Sequence, residues 1–431
     1  MQRGIAQCYL RQMPSAPAAT SNSPATRPKV APIAFIVLSL AAFGSGVSQR
    51  VTDPLLPRMA SEFSVTLAAA SWVVTLFTIG YGCNQLFFGP LGDRFGKYRV
   101  IAWATVACAV ATLLCAAAPN FNFLLAARLI AGSMAAAIIP LAMAWIGDVV
   151  PYEERQPVLA RFLIGQILGV AAGQLLGGVA ADYLNWQVPF LLIATGFAGV
   201  SFLLFATQRQ LPPHALAARA STINDGHAIE RMFREFAEVL KKPWARVVVM
   251  TVFLEGACVF GGFAFFATHL HTVHGLALST SGMVVMLFGF GGFLFASASA
   301  TFVRRLGETG LARVGGMLLF VSMLVMAEAP CWQWAIPACF MTGLGFYMLH
   351  NTLQTNATQM APERRGAAVS AFAAAYFIGQ SCGVALAGLG TAYIGTDGVI
   401  VAGGIGVMLV AIRFARLKAR TLGGKNSSLV V

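Results

Sequence analysis

Three of the charged side chains inside the long apolar stretches of the sequence are candidates for chemistry, because an unneeded charge there would be costly. Asp53 and Arg128 lie in the first and fourth of these stretches, and Glu255 lies in the seventh. On insertion scales a charge at the centre of a membrane helix costs about 2.5–3.5 kcal/mol, and such charges commonly mark ion pathways and proton relays. A carboxyl group in this setting can take up a proton from one side and release it to the other. These three residues are therefore candidates for proton coupling or for lining a solute cavity.

Each of these charges also has a structural interpretation. Asp53 and Arg128 are expected at a similar depth and could neutralise each other, but Arg50 lies three residues before Asp53 on the same helix face. Glu255 has no basic residue within reach along its own helix, so it either carries a proton or stays neutral through a hydrogen bond to a neighbouring helix. Gln354, near the end of the tenth stretch, is a further candidate for lining the cavity.

A conformational latch is predicted between the second and third apolar stretches, where residues 89–99 read Gly-Pro-Leu-Gly-Asp-Arg-Phe-Gly-Lys-Tyr-Arg. A carboxylate at this position can face the positive dipole end of a neighbouring helix. The simpler alternative is a loop whose charges only fix the topology. The predicted latch consists of Gly89, Asp93, Arg94, Gly96, Arg99 and, at the end of the fourth stretch, Asp148.

The fifth stretch carries small residues at helical spacing, namely Gly169, Gly173, Gln174, Gly177 and Gly178. Small residues let membrane helices approach closely, which explains them as packing residues. The functional alternative is that close packing of this helix restrains leakage during solute exchange.

Three histidines follow the seventh stretch at positions i, i+2 and i+5, namely His269, His271 and His274. This spacing does not place all three on one helix face, so we expect polar residues at the membrane interface and predict no metal site.

The composition requires a bilayer to surround these elements. Of the 431 residues, 58% are hydrophobic and only 10% are charged, whereas soluble domains carry about 25% charged residues. Membranes admit only helices or closed barrels, and the apolar stretches are continuous rather than alternating, so we predict an all-α integral membrane protein.

Twelve transmembrane helices, here called spans 1 to 12, are predicted from stretches long enough to cross the hydrocarbon core of about 30 Å. Their predicted bounds are 33–56, 68–88, 100–117, 123–147, 158–181, 188–206, 247–269, 281–302, 312–325, 334–353, 367–389 and 399–412.

The basic residues give an orientation. With both termini in the cytoplasm, 26 of the 29 Lys and Arg residues fall in cytoplasmic segments or at their borders, all except Arg50, Arg58 and Arg128. Excess Lys and Arg mark cytoplasmic loops. The net charge of +13 therefore reflects the basic residues of the predicted cytoplasmic segments. No soluble basic face is predicted that would indicate a nucleic-acid partner.

The two halves repeat at an offset of about 211 residues. Residues 94–96 (Arg-Phe-Gly) match 305–307 (Arg-Leu-Gly), Pro151 matches Pro362, and the Gly-Gln run from 165 matches that from 379. This repeat predicts two pseudo-symmetric six-helix bundles with a substrate site between them. Alternating access would then occur by rocking of one bundle against the other. The predicted organisation is a disordered cytoplasmic tail (1–32), an N-terminal bundle (33–207), a cytoplasmic linker (208–245), a C-terminal bundle (246–415) and a second cytoplasmic tail (416–431).

The segment 89–99 closely resembles the signature of the major facilitator superfamily between spans 2 and 3. Arg128 with Gly132 is similar to the family's span-4 arginine motif, and Asp53-x-x-x-Pro57 resembles the acidic motif of twelve-helix drug–proton antiporters. The run from Gly169 to Gly178 is similar to the antiporter motif, except that Gln174 replaces the usual proline.

This resemblance implies a major facilitator fold and secondary transport. It implies that Asp93 contacts the start of span 11 near Gly366 and that Asp148 pairs with the span-2 arginine, Arg94. The expected function is proton antiport that exports small amphiphilic or hydrophobic compounds from a monomer in the inner (cytoplasmic) membrane. The expected partners are a small-molecule substrate, protons and the lipid bilayer, and no cofactor is predicted.

Two other classes of function remain open. Within transport, sugar or metabolite efflux and proton-symport uptake are alternatives. A membrane-embedded enzyme would need a catalytic cluster such as His-Glu-x-x-His on a helix, and the sequence has none. A sensor without transport activity is the remaining alternative.

Overall fold

The computed structural model describes residues 31–216 and 228–427, and these residues are almost entirely helical with no strand among them. The predicted tail over residues 1–30, the linker residues 217–227 and the final residues 428–431 lie outside the described ranges.

The six spans of the first half are built from seven helices. They are Pro32–Arg50 (span 1), Trp72–Phe95 (span 2), Lys97–Ala116 (span 3), Phe121–Ala135 with Ile138–Val149 (span 4), Tyr152–Tyr183 (span 5) and Val188–Gln208 (span 6).

The second half repeats this plan. Its helices are Pro243–Phe263 with Phe266–His274 (span 7), Leu278–Val285 continued by Leu287–Glu328 (spans 8 and 9), Ala335–Gln359 (span 10) and Arg365–Ser427 (spans 11 and 12). Nine segments among the described residues are long and apolar enough to cross a membrane. Two of these nine segments each contain two spans, because the chain turns back at a glycine, so the nine segments hold eleven spans. The 25-residue helix Ala335–Gln359 is one more, which gives the predicted twelve.

The helices differ from the predicted spans mainly at their ends. Span 1 ends at Arg50 rather than at residue 56, because the chain turns over residues 51–55 into the short helix Leu56–Glu62. Span 5 begins six residues before the predicted start, because its helix extends beyond the apolar stretch into the polar segment after Pro151.

Glycines with positive φ form the turn between spans 2 and 3 and the turn between spans 8 and 9. Gly96 has φ 90° and Gly307 has φ 62°, conformations that a side chain would strain. These two glycines occupy matching positions in the internal repeat. We call the side of the spans that holds these two turns the termini face, and the opposite side the far face.

The glycines of span 5 pack against span 1. A Cβ added at any of four of them would lie only 2.1–2.8 Å from a backbone oxygen of span 1 or of the turn that follows it; these are Gly165, Gly169, Gly173 and Gly177. Gly379 and Gly383 of span 11 lie in the same way against Phe253 and Ala257 of span 7, at 2.0 and 2.1 Å. These glycines therefore allow spans 1 and 5 to approach closely, and spans 7 and 11 of the second bundle share this feature.

The bundles contact each other in the far half of the spans. Gly178 of span 5 and Gly282 of span 8 lie so close that a Cβ on either would be 2.4 Å from a backbone oxygen of the other helix. The Ser381 hydroxyl of span 11 donates to Thr78 Oγ1 of span 2 at 2.7 Å. At the termini face, by contrast, a Cβ added at Gly366, where span 11 begins, would meet nothing within 4 Å.

Candidate functional site

Glu255 is fully buried in the middle of span 7 and has a partner on another helix. His350 Nδ1 of span 10 lies 2.8 Å from Glu255 Oε2. The other carboxylate oxygen, Oε1, is buried without a hydrogen-bond partner among the described residues. As expected, Glu255 has no basic partner on its own helix. Its partner, His350, lies three spans further along the chain, so the residue spacing on span 7 could not reveal it.

His350 sits against a group of aromatic rings. Its ring stacks on Phe346 with centroids 5.0 Å apart, and it contacts Tyr376 of span 11 at 4.7 Å. Phe260 of span 7 contacts both Phe346 and Tyr376 edge-on, at 5.1 and 5.8 Å. Phe260 and Phe346 are buried and Tyr376 is half-buried, so these rings form a packed aromatic cluster beside the Glu255–His350 pair.

Gln354 is exposed and lies four residues after His350 on span 10. Residues spaced by four share a helix face. The His350 side chain is 18% exposed, whereas Glu255 is 0% exposed. Gln354 and His350 therefore mark one polar strip of span 10 that leads to the buried carboxylate.

Asp53 pairs with Arg50 and not with Arg128. The Arg50–Asp53 distance is 3.5 Å, and both side chains are almost completely buried. Arg128 instead donates to the backbone oxygens of Val73 and Ser48, both at 3.1 Å. Of the two alternatives for Asp53, the structure has the local pair, because the backbone carbonyls of spans 1 and 2 already satisfy the Arg128 guanidinium.

Gln174 of span 5 also binds Asp53. Its Nε2 donates to Asp53 Oδ2 at 3.0 Å, and the Gln174 residue is 1% exposed. The glutamine that replaces the usual proline of the motif thus supplies a hydrogen bond that proline could not make. The only signal for this contact in the sequence was the departure from the motif.

Arg50 extends from span 1 into the opposite bundle. With the Gln380 amide oriented so that its oxygen faces the guanidinium, that oxygen accepts from Arg50 NH1 at 2.9 Å and from NH2 at 2.6 Å. The guanidinium also lies 4.1 Å from the ring centroid of Phe260. Asp53, Gln174 and Arg50 therefore form a polar cluster that touches spans 7 and 11.

The predicted latch residues lie at the termini face without contact to span 11. Asp93 Oδ1 lies 3.2 Å from Lys97 Nζ, and Lys97 also lies 2.5 Å from Asp148. Arg94 stacks on Phe95 at 5.1 Å. The expected pairing of Asp148 with Arg94 is therefore replaced by one with Lys97, whose position directly after the Gly96 turn brings it between the two acids.

The remaining latch positions are peripheral. Arg99 is exposed at the start of span 3, and a Cβ added at Gly89 would meet nothing within 4 Å. The latch contact near Gly366 is not made in this conformation, because Asp93 pairs with Lys97 and a Cβ added at Gly366 would meet nothing within 4 Å.

An acid at the far face joins the bundles, and the sequence analysis missed it. Asp182, near the end of span 5, accepts hydrogen bonds from the backbone N–H groups of Leu278 (3.2 Å) and Ser279 (2.6 Å). These N–H groups lie at the start of the first helix of span 8, where backbone donors have no partner within the helix. The Asp182 carboxylate supplies the missing acceptors. An acid just after the glycine run was visible in the sequence, but its partner was not.

The histidines after span 7 make separate contacts. His269 is fully buried and its Nδ1 lies 2.9 Å from Thr396 Oγ1 at the turn into span 12. The Nδ1 of His271 lies 2.7 Å from the Leu276 carbonyl oxygen. His269 is thus buried, because its ring packs toward the turn between spans 11 and 12. Within the described ranges, no group of three or more metal-ligating side chains occurs.

The described part of the linker contains the helix Ala228–Lys241. Val239 is buried, whereas Phe233 and Leu240 are exposed. Directly after this helix, Lys242 forms an ion pair with Glu363 of the loop between spans 10 and 11, and the hydrogen bond from Lys242 lowers the pKa of Glu363.

Comparisons with known proteins agree with this architecture. The family model described as Major Facilitator Superfamily matches residues 38–365. The "Uncharacterized MFS-type transporter YceJ" of Bacillus subtilis (strain 168) is 26% identical over 358 residues, which cover 80% of this chain and 86% of that protein. The "Multidrug export protein EmrB" of Escherichia coli (strain K12) is 28% identical over 173 residues, 40% of this chain and 34% of that protein.

Solved structures share the fold. A bacterial homologue of the human lysosomal transporter Spinster, solved in an inward-facing and unoccupied conformation, superimposes with a TM-score of 0.72 at 18% identity, covering 90% of this chain and 96% of that chain. The nucleoside transporter NupG, solved as a point mutant, also gives a TM-score of 0.72, at 12% identity, covering 88% and 98%. From the family match over most of its length and the twelve-span architecture, the chain belongs to the Major Facilitator Superfamily.

Proposed function

We propose that this transporter exports small amphiphilic or hydrophobic compounds in exchange for protons. In this proposal it acts as a monomer in the inner (cytoplasmic) membrane, with the termini face in the cytoplasm. Its partners are the bilayer, protons and a small-molecule substrate.

The observation that carries the proposal is the Glu255–His350 pair beside a cluster of aromatic rings. A buried carboxylate held 2.8 Å from an imidazole can exist with or without its proton. The rings of Phe346 and Tyr376 adjoin the same pair, so a hydrophobic substrate bound there would displace water around it. Competition between a proton and a substrate for one region is what antiport requires.

The polar cluster at Asp53 supports a second proton-sensitive position. Asp53 and Arg50 are buried at the end of span 1, and the Arg50 guanidinium contacts Gln380 of the other bundle. A change of charge at Asp53 would leave Arg50 without its nearby counter-ion in a buried place, which is strongly unfavourable. The state of Asp53 would therefore influence the contact between the bundles.

The arrangement of the two faces supports alternating access. With the termini in the cytoplasm, contact at the far face and separation at Gly366 correspond to an inward-facing state. Asp93 would then meet the start of span 11 only in the outward-facing state, so the latch of residues 89–99 and Asp148 would act in that half of the cycle. Similarity to the EmrB exporter over part of the chain supports the direction of transport.

A proteoliposome assay tests the proposal. The purified protein is reconstituted with a trapped pH indicator, and a panel of amphiphilic dyes is added with and without an imposed pH gradient. We expect at least one dye to move against its gradient when protons move the opposite way. Proton movement in the same direction as the solute would support symport instead, and a pH gradient that drives no solute from a panel including sugars and nucleosides would contradict both.

Glu255→Gln provides the residue-level test. Glutamine keeps most of the shape and hydrogen bonding but cannot carry a proton. We expect this variant to lose transport driven by the pH gradient while still exchanging labelled for unlabelled dye, because exchange needs no proton step. Uphill transport at the unmutated rate would show that Glu255 is not the proton carrier.

A further inference from the structure

We propose that His350 is a proton relay between the solvent at the termini face and the carboxyl group of Glu255. This inference rests on the proposed proton antiport and adds a residue to it. It assigns to His350 the step by which the buried acid loses its proton in the inward-facing state.

The geometry that points to a relay is a difference in exposure within one hydrogen-bonded pair. The Glu255 side chain is 0% exposed, and its only partner among the described residues is His350 Nδ1, at 2.8 Å from Oε2. The His350 side chain is 18% exposed. A proton on Glu255 therefore has no exposed atom of its own through which to leave, while the ring hydrogen-bonded to it is partly exposed.

The ring is held in place for this transfer. Phe346 stacks on it with an interplanar angle of 24°, and Phe372 and Tyr376 of span 11 contact its other sides at 5.4 and 4.7 Å. These contacts keep Nδ1 directed at the carboxylate. Gln354, exposed one turn nearer the termini face, continues the polar strip toward solvent.

The proton balance is simple. The protonated carboxyl of Glu255 gives its proton to Nδ1 of neutral His350, which leaves a carboxylate and an imidazolium. The imidazolium then releases the Nε2 proton to water, so one proton leaves and the ring remains protonated at Nδ1, donating to the carboxylate. Exchange of the ring proton between the two nitrogens through water restores the starting tautomer.

The surroundings contain few other groups that could do this. Tyr376 of span 11 contacts the His350 ring, and Tyr347 of span 10 contacts Phe346 beside it. From the first bundle, the Arg50 guanidinium lies over the Phe260 ring. Tyrosine and arginine give up protons only at high pH. Among the described residues, His350 is thus the hydrogen-bonded neighbour of Glu255 that can accept its proton and pass one on.

Net efflux of a transported dye, at equal pH on both sides, tests the relay. Net efflux requires the proton-return half of the cycle, whereas exchange of labelled for unlabelled dye does not. In His350→Ala, we expect net efflux to fall by about a hundredfold, the lower end of the range lost when a proton-transfer group is removed. Exchange should persist at a measurable rate while net efflux is lost, which shows that the variant is folded and binds dye.

Chemical rescue separates a relay from a packing role. Imidazole added equally to both sides should restore part of the net efflux of His350→Ala, whereas thiazole, a ring of similar shape with little basicity, should not. Equal rescue by both rings, or net efflux unchanged in the variant, would overturn the relay. His350→Gln, which keeps a hydrogen-bonding side chain, should be as slow as His350→Ala, and it replaces that variant if the alanine protein does not fold.

The outcomes for the relay and for the proposed function differ. If the unmutated protein moves dye without any opposite proton movement, the antiport proposal itself is wrong. If proton-coupled efflux is present and His350→Ala retains it at full rate, only the relay is wrong.

Discussion

The Asp182 carboxylate accepts a hydrogen bond from the backbone N–H of Ser279 at 2.6 Å, and this bond crosses the interface between the two bundles. The contact expected of Asp93 is of the same kind, because it also places a carboxylate at the start of a helix. The Asp182 contact, however, lies at the far face, whereas Asp93 lies at the termini face. The structure therefore has a contact that favours closure of the far face while the termini-face contact is open.

Asp182→Asn is expected to shift the protein toward conformations open at the far face. The carboxylate uses one oxygen for each of two N–H groups, and asparagine keeps only one acceptor oxygen and no charge. A negative charge near a helix N-terminus contributes about 0.3–1 kcal/mol, enough to change a balanced population severalfold. Spin labels at the exposed positions Tyr183 and Val273 can report the separation of the far-face ends by pulsed electron resonance. We expect a larger population of long distances.

The control for this experiment is Glu62→Gln at the same face. Glu62 is exposed and pairs with Arg58, four residues earlier on its own short helix. It should leave the distance distribution unchanged. Equal distributions for Asp182→Asn and the unmutated protein would show that the capping bond does not bias the conformation.

Asp93→Asn is expected to abolish most transport without lowering thermal stability in this conformation. Here Asp93 contacts Lys97 on its own side of the interface, in a partly exposed ion pair that contributes little. Its proposed contact with span 11 belongs to the other half of the cycle. Transport rates at matched membrane levels, with Glu154→Gln as a control acid at the same face, provide the measurement, and full activity of Asp93→Asn would refute the latch.

Gln174→Met is expected to lower the melting temperature of the purified protein by several degrees. Methionine has a similar length but cannot donate to Asp53, and loss of a partner of a buried polar group costs about 1–3 kcal/mol. Gln166→Met, two turns earlier on span 5, is the matched control because the Gln166 side chain is partly exposed. An equal effect of both substitutions would mean that the hydrogen bond contributes nothing specific.

Gly169→Ala is expected to reduce the yield of folded, monodisperse protein. The added Cβ would lie 2.2 Å from the backbone oxygen of Phe43, so spans 1 and 5 must separate. Gly199→Ala in span 6 adds the same methyl group where nothing lies within 4 Å. Size-exclusion profiles of the two variants should differ, and a normal profile for Gly169→Ala would show that the helix pair tolerates the shift.

The number of spans, their order and the paired bundles could be predicted because they depend on local hydrophobicity and on repeated short motifs. Gly96 and Gly307 show why the repeat was readable: both turns require a positive φ, so both positions hold glycine. The glycines of span 5 were interpretable for a similar reason, since close helix approach restricts residue size.

The polar contacts of the site could not be predicted in the same way. Glu255 was recognised as a buried acid, but His350 lies 95 residues later, and only the packing of span 10 on span 7 brings them together. Arg128 was expected near Asp53 from depth alone, yet depth does not specify the direction of a side chain. Bonds between distant residues depend on helix rotation, which hydrophobic periodicity fixes only approximately.

The close approach of Gly178 and Gly282 has a consequence for how the transporter switches. Backbone meets backbone there, with no layer of side chains that could yield gradually under strain. Such an interface is either seated or separated, since packed surfaces behave as bistable rather than elastic contacts. Opening of the far face should therefore be cooperative, and single molecules should show abrupt steps between two distances rather than a continuous drift.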